Sequence, residues 1–279
     1  MARSDRAPEN AIETDGLTKR YYDAAAVEDL RLRIEPGSIY GFLGPNGAGK
    51  TTTMQMLTTL TTPTSGTARI AGQPIAEREA VTPHIGYLPE EPPLYDELTG
   101  REQLEYVAGL CDMAPARSNE RIEALLERFD LTGDGDARIS TYSKGMKQKT
   151  GLIQALLGDP EVIFLDEPTS GLDPRAARTV RETIAELAAG SATVFLSTHI
   201  LPVIEELADT VGVLYEGALV AEGAPDALAE RVETGEESSL ENVFLEVTDR
   251  GAYDEPVRAG ADSGTSSASD REAEAERFG

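Results

Sequence analysis

The run Gly44-Pro45-Asn46-Gly47-Ala48-Gly49-Lys50-Thr51 fits the pattern G-x-x-x-x-G-K-S/T, and it constrains the chain more than any other segment. It follows an apolar, β-rich stretch (residues 38–44) and leads into a segment with helical character, the context such a loop requires. The spacing has a physical reason. Glycines let successive backbone N–H groups curl around an anion without Cβ clashes, and the new helix points its positive end at the same anion. Lys50 is then placed to reach the β- and γ-phosphates of a nucleoside triphosphate, and the Thr51 hydroxyl to ligate Mg²⁺. Thr52, next in the same turn, completes the candidate nucleotide contacts.

Around this loop, strand-like and helix-like segments alternate from about residue 11 to 248, which predicts an α/β domain. Residues 38–44, 162–166 and 193–198 are apolar on both faces and read as buried parallel strands. Residues 211–223 read as a hairpin turning at Glu216-Gly217. A helical insert lies between the first two core strands, opened by a Thr99/Glu102 capping box. Leu104, Val107, Ala108 and Cys111 follow at i, i+3, i+4, i+7, which puts Cys111 on a buried stripe as a structural residue. Ile122, Leu125, Leu126 and Phe129 repeat the spacing in a second helix, and Asp173-Pro174 opens a third. Near the C-terminus, Ser238 and Glu241 form a capping box ahead of an apolar face of Leu240, Val243, Phe244 and Val247. Residues 249–279 are polar, charged and small-residue rich, and read as a disordered tail.

The segment Val162-Ile163-Phe164-Leu165-Asp166-Glu167 ends a buried strand in two carboxylates, which are costly to desolvate unless paired. Beside a phosphate loop, a metal resolves this. Asp166 would hold Mg²⁺, and Glu167, one step further out, would orient or deprotonate the attacking water. His199 follows the next strand and suits a γ-phosphate sensor, although a histidine after a strand is also commonly just a satisfied polar group.

The 279 residues carry 50 acids against 25 lysines and arginines, a net charge of −25. Such a surface repels nucleic acid. Only five lysines occur, and an acid-rich, lysine-poor composition resembles proteins of salt-accumulating halophiles. All five lie in motif segments: Lys19, Lys50, Lys144, Lys147 and Lys149. They either keep local positive charge where a polyanion sits or, for the last three, are simply solvated residues at a helix start. No run approaches the ~20 apolar residues of a spanning helix, the N-terminus lacks the apolar core of a secretory signal, and the lone cysteine cannot form an internal disulfide. The expectation is an intracellular protein.

Tyr142-Ser143-Lys144-Gly145-Met146 resembles the signature motif of ABC ATPases. Ser143 and Gly145 align with the common LSGGQ, while Tyr142, Lys144 and Met146 depart from it. The other features follow in ABC order. Tyr21 resembles the aromatic that stacks on adenine, with Tyr22 the weaker candidate, Ser170-Gly171-Leu172-Asp173 resembles the D-loop, and His199 the switch histidine. The resemblance covers residues 11–248. It implies an ABC ATPase fold with a parallel core sheet, an antiparallel β subdomain and a helical subdomain inserted at about 92–158. It also implies ATP as ligand, with Ser143, Gly145 and Asp173 acting across a dimer, homo- or heterodimeric. Glu90 stands where many ABC proteins place a Q-loop glutamine near Mg²⁺. The implied function is a transporter ATPase at the cytoplasmic face of the membrane, driving a membrane-spanning permease. The YSKGM variant and the segment 239–244 resemble exporter-type subunits. The alternative is an ABC ATPase uncoupled from transport, whose families commonly carry two cassettes or a long coiled coil. A GTPase would need a guanine-reading NKxD, and none follows.

Overall fold

The structure, a computed structural model, describes residues 9–230 together with Glu241, Phe244 and the pair Val257–Arg258. Its strands in chain order are β1 (Ile12–Tyr21), β2 (Ala24–Leu30), β3 (Arg33–Ile34), β4 (Ile39–Leu43), β5 (Ser65–Ile70), β6 (Gln73–Pro74), β7 (Ile85–Leu88), β8 (Val162–Asp166), β9 (Thr193–Thr198), β10 (Thr210–Tyr215), β11 (Ala218–Gly223) and β12 (Val257–Arg258). The helices are α1 (Lys50–Leu57), α2 (Arg78–Val81), α3 (Gly100–Leu110), α4 (Pro115–Arg128), α5 (Lys144–Leu156), α6 (Pro174–Ala189), α7 (Leu201–Leu207) and α8 (Pro225–Ala229).

The three apolar runs fold as expected. β4, β8 and β9 are buried at every position and lie parallel in the order β7-β8-β9-β4-β10. Period-2 alternation splits their side chains between two cores. Tyr40, Phe42, Phe164 and Phe195 face the antiparallel sheet, with Tyr40 and Phe195 stacked at 5.4 Å. Leu43, Ile163, Leu165, Val194 and Leu196 face the helices on the other side. The antiparallel sheet, β2-β1-β5-β6 with β3 on β1, forms a second layer. Helices α3, α4 and α5 form the insert, and α5 packs on β7.

The β10–β11 hairpin turns at Glu216-Gly217, both at positive φ (47° and 83°), as a two-residue turn demands. Beyond it, β12 adds a short parallel pairing, Val257 with Ala221 and Arg258 with Glu222. The remainder of the expected tail, and Ser238, Leu240, Val243 and Val247 of the expected C-terminal helix, lie outside the described residues; Glu241 and Phe244 are helical.

Both Thr99/Glu102 capping hydrogen bonds are present, and Asp173 caps α6 by accepting from Arg175 N and Ala176 N. Cys111 is the correction. α3 ends at Leu110, so Cys111 becomes its C-cap (φ −88°, ψ 10°) and is exposed rather than on the buried stripe with Leu104 and Ala108. Periodicity extends a stripe past the residue where backbone geometry stops the helix. Partial burial and the neighbouring Asp112 push its thiol pKa up, opposite to an activated cysteine.

Candidate nucleotide site

In a parallel sheet, ligands collect beyond the carboxyl ends of the strands. Here cross-strand register sets Leu43 beside Thr198, Ser197 beside Asp166, and Leu165 beside Leu88. The residue just past each strand therefore emerges at one edge: Gly44 after β4, His199 after β9, Glu167 after β8, and Glu90 two past β7. Of the residues expected from sequence, Asn46, Gly47, Gly49, Lys50, Thr51, Thr52, Glu90, Asp166, Glu167 and His199 line one open cleft of ≈ 320 Å³.

The floor of the cleft is the loop between β4 and α1. Gly49 is the N-cap of α1 at φ 108°, and no side chain caps that end. The first N–H groups of α1 are thus left for an anion. A Cβ on Gly49 would sit 2.2 Å from the Ala26 carbonyl oxygen, and one on Gly44 would sit 2.4 Å from that of Leu214. Gly44, Pro45 and Ala48 do not line the cleft; they frame the loop from behind, where Ala48 O accepts from Gly217 N at 3.0 Å. Ala26, on β2, joins the cleft wall, a neighbour that nothing in the sequence marks.

Lys50 is buried and its Nζ donates to Gly44 O (2.6 Å) and Pro45 O (3.2 Å). Burial lowers its pKa, against the pull of Glu167, Asp166 and Glu90. Thr51 Oγ1 donates to Asp166 Oδ2 at 2.8 Å, so the hydroxyl and carboxylate expected to share a metal already face each other. Burial raises the Asp166 pKa, only partly offset by the Thr51 hydrogen bond.

Glu167, 6% exposed, lies in the left-handed region (φ 49°), a strained conformation for a non-glycine residue. Its N–H continues the β ladder to Ser197 O at 2.9 Å. Its carboxylate is held from β9: Thr198 Oγ1 donates to Oε2 at 3.0 Å, and His199 Nδ1 lies 2.8 Å from Oε1. Sequence reasoning placed Glu167 and His199 here but gave Thr198 no role; an STH triplet at a strand end is the signal it had.

The remaining candidates stand apart from the cleft. Tyr21, at the exposed end of β1, has the Lys19 ammonium 5.1 Å from its ring centroid, and Tyr22 is fully exposed. Ser143 caps α5, accepting from Met146 N at 3.2 Å. Asp173 caps α6, and those backbone hydrogen bonds, Ala176 first, lower its pKa. The two segments meet within the chain: Gly171 (φ 71°) lies under the Lys144 side chain, where a Cβ would be 2.6 Å from Nζ. Lys147 pairs with Asp96 (2.7 Å) and Lys149 donates to Phe129 O (2.9 Å), so these two bind their own chain.

The family model described as ABC transporter matches residues 27–170. Over 228 residues the chain is 42% identical to the daunorubicin resistance ATP-binding protein DrrA3 of Streptomyces coeruleorubidus, covering 81% of this chain and 72% of that protein. Over 222 residues it is 40% identical to the Nod factor export ATP-binding protein I of Paraburkholderia xenovorans, covering 79% and 73%. Among solved structures, an ATP binding subunit of an ABC transporter superposes with a TM-score of 0.79 at 32% identity, covering 85% of this chain and 99% of that one. With the phosphate loop, the paired acids and the histidine converging on one sheet edge, the chain belongs to the ABC transporter family, as an ATP-binding and ATP-hydrolysing subunit.

Proposed function

We propose that this chain powers export through a separate membrane-spanning partner, hydrolysing ATP with Glu167 as general base. The observation that carries the base assignment is the grip on Glu167: a buried carboxylate, tied at both oxygens, in the same cleft as the phosphate loop. A fixed carboxylate beside a bound γ-phosphate orients a water and takes its proton. Lys50 leaves the Gly44 and Pro45 carbonyls to pair with phosphate oxygens, and the bare start of α1 receives the β-phosphate.

Three carboxylates, Glu90, Asp166 and Glu167, share the cleft with a single ammonium, Lys50. Adding a polyanion to that set is unfavourable without a cation. The oxygen donors fit Mg²⁺: Thr51 and Asp166 would hold it, with Glu90 nearby. When bound, it supplies charge neutralisation of the phosphates.

Two copies close head-to-tail, as homo- or heterodimer, each bringing Ser143, Gly145 and Asp173 to the partner's nucleotide, with Tyr21 against the adenine. Ser143 and Asp173 are exposed and Gly145 half-buried, all three away from the chain's own cleft, which supports a role across an interface. The ATPase domain spans residues 11–248, with its helical subdomain at about 92–158 and the acidic tail at 249–279. Among the described residues no helix is long and apolar enough to cross a membrane, which supports a separate permease and a place at the cytoplasmic membrane face. A groove between β7, α3 and α5, lined by Tyr87, Pro93, Val107 and Leu110, supports a docking surface for that partner. Export is favoured by the names of the relatives, a resistance protein and an export protein, and by the Tyr142–Met146 variant.

Glu167→Gln tests the base. ATP binding is expected to stay within about twofold while turnover falls by about 10²-fold or more, with an ATP-bound dimer accumulating in size-exclusion chromatography. Turnover at the normal rate would remove Glu167 from the role.

A further inference from the structure

Thr198 is wholly buried at the end of β9 and belongs to no motif read from the sequence. Its hydroxyl accepts the Ile200 N–H at 3.1 Å. A hydroxyl has one proton to donate. With an oxygen lone pair committed to Ile200, that proton is directed at Glu167 Oε2, 3.0 Å away.

The two ties on Glu167 differ in kind. The His199 side chain is 54% exposed and lines the cleft, within reach of a ligand there, whereas Thr198 is wholly buried behind it. Glu167 also has a strained φ of 49°, so its carboxylate is not held in place by backbone preference. We propose that Thr198 is a positioning residue for hydrolysis, the fixed anchor that keeps the Glu167 carboxylate aimed while His199 exchanges between Glu167 and the nucleotide. This rests on the reading of Glu167 as the base. Thr198 itself is wholly buried and does not line the cleft, and acts only through the carboxylate it orients.

The test uses the full chain and three variants: Thr198→Val, which keeps the shape and removes the hydroxyl, Thr198→Ser, which keeps the hydroxyl, and Glu167→Gln. For T198V, kcat is expected to fall about 10-fold or more while the KM for ATP stays within about twofold, because aim is lost and binding is not. T198S is expected to recover to within about threefold of the parent. Unchanged kcat in T198V overturns the proposal, as does a T198S variant that is as slow as T198V, since packing rather than the hydroxyl would then be at issue. If T198V does not yield folded protein, the same ratio is read between Thr198→Ala and T198S. An E167Q variant that loses turnover beside an unaffected T198V sinks the anchor alone; full turnover in E167Q sinks the base reading itself.

Discussion

Asp166, the proposed Mg²⁺ ligand, is where that role and stability pull against each other. It is 2% exposed, and burial raises its pKa more than Thr51 and Lys50 lower it. A carboxyl whose folded pKa exceeds its unfolded value opposes folding once ionised. Its unfavourable contribution is absent below the unfolded pKa, grows as pH rises from there to the folded one and is complete above it. Asp166→Asn keeps a partner for the Thr51 hydroxyl and removes the charge. The nucleotide-free variant is expected to melt higher than the parent at neutral pH, by about 2–4 °C for each ~1 kcal/mol relieved. The gap should close as pH falls through the Asp166 pKa in thermal unfolding scans. ATPase activity is expected to be lost in the same variant. A melting temperature below the parent's at pH 7 would mean that Asp166 is stabilised where it sits, contrary to its burial.

Helices α1 and α3 begin in opposite ways, and the difference separates structure from function. α3 has both hydrogen bonds of its capping box, and its Glu102 carboxyl pKa is lowered chiefly by the Thr99 backbone N–H. α1 has a glycine cap in the left-handed region and no side-chain cap, which leaves its first N–H groups open to the proposed phosphate ligand. Thr99→Ala is expected to destabilise the protein by about 1 kcal/mol in urea unfolding and to leave basal ATPase activity unchanged. A large loss of turnover would tie α3 to the nucleotide site directly. These starts were legible because capping is local chemistry, and the core strands because Val162–Leu165 and Val194–Leu196 are apolar on both faces. What escaped reading depends on the third dimension. The end of α3 at Leu110 is set by backbone geometry beyond the periodic stripe, which exposes Cys111. The approach of Ala26 to Gly49 comes from β2 folding over the loop, and a run of alanines gives no sign of it. Thr198 was visible as a residue but not as a ligand of Glu167, since that contact depends on the register of β8 against β9.

The whole molecule must fold against its own charge. With 50 acids against 25 lysines and arginines, negative side chains outnumber positive ones two to one. The ion pairs that do form are mostly exposed, such as Arg178 with Glu182 and Arg20 with Glu28, and pairs of this kind contribute between about 0 and 1 kcal/mol each. Salt acts on both terms in opposite directions: it weakens the pairs and screens the repulsion. The repulsion is spread over every unpaired acid, and the Debye length falls from about 10 Å at 0.1 M to about 3 Å at 1 M. Screening therefore relieves more than it removes, unlike in a charge-balanced domain of this size. The unfolding midpoint is expected to rise steadily between 0.1 and about 2 M KCl, with ATPase activity persisting or increasing across that range. KCl is the appropriate salt, since sulfate or phosphate would also strengthen apolar burial and blur the cause. A midpoint that falls with KCl, with full activity only in dilute buffer, would show that the acids are compensated locally and that the −25 charge has no bearing on where this protein works.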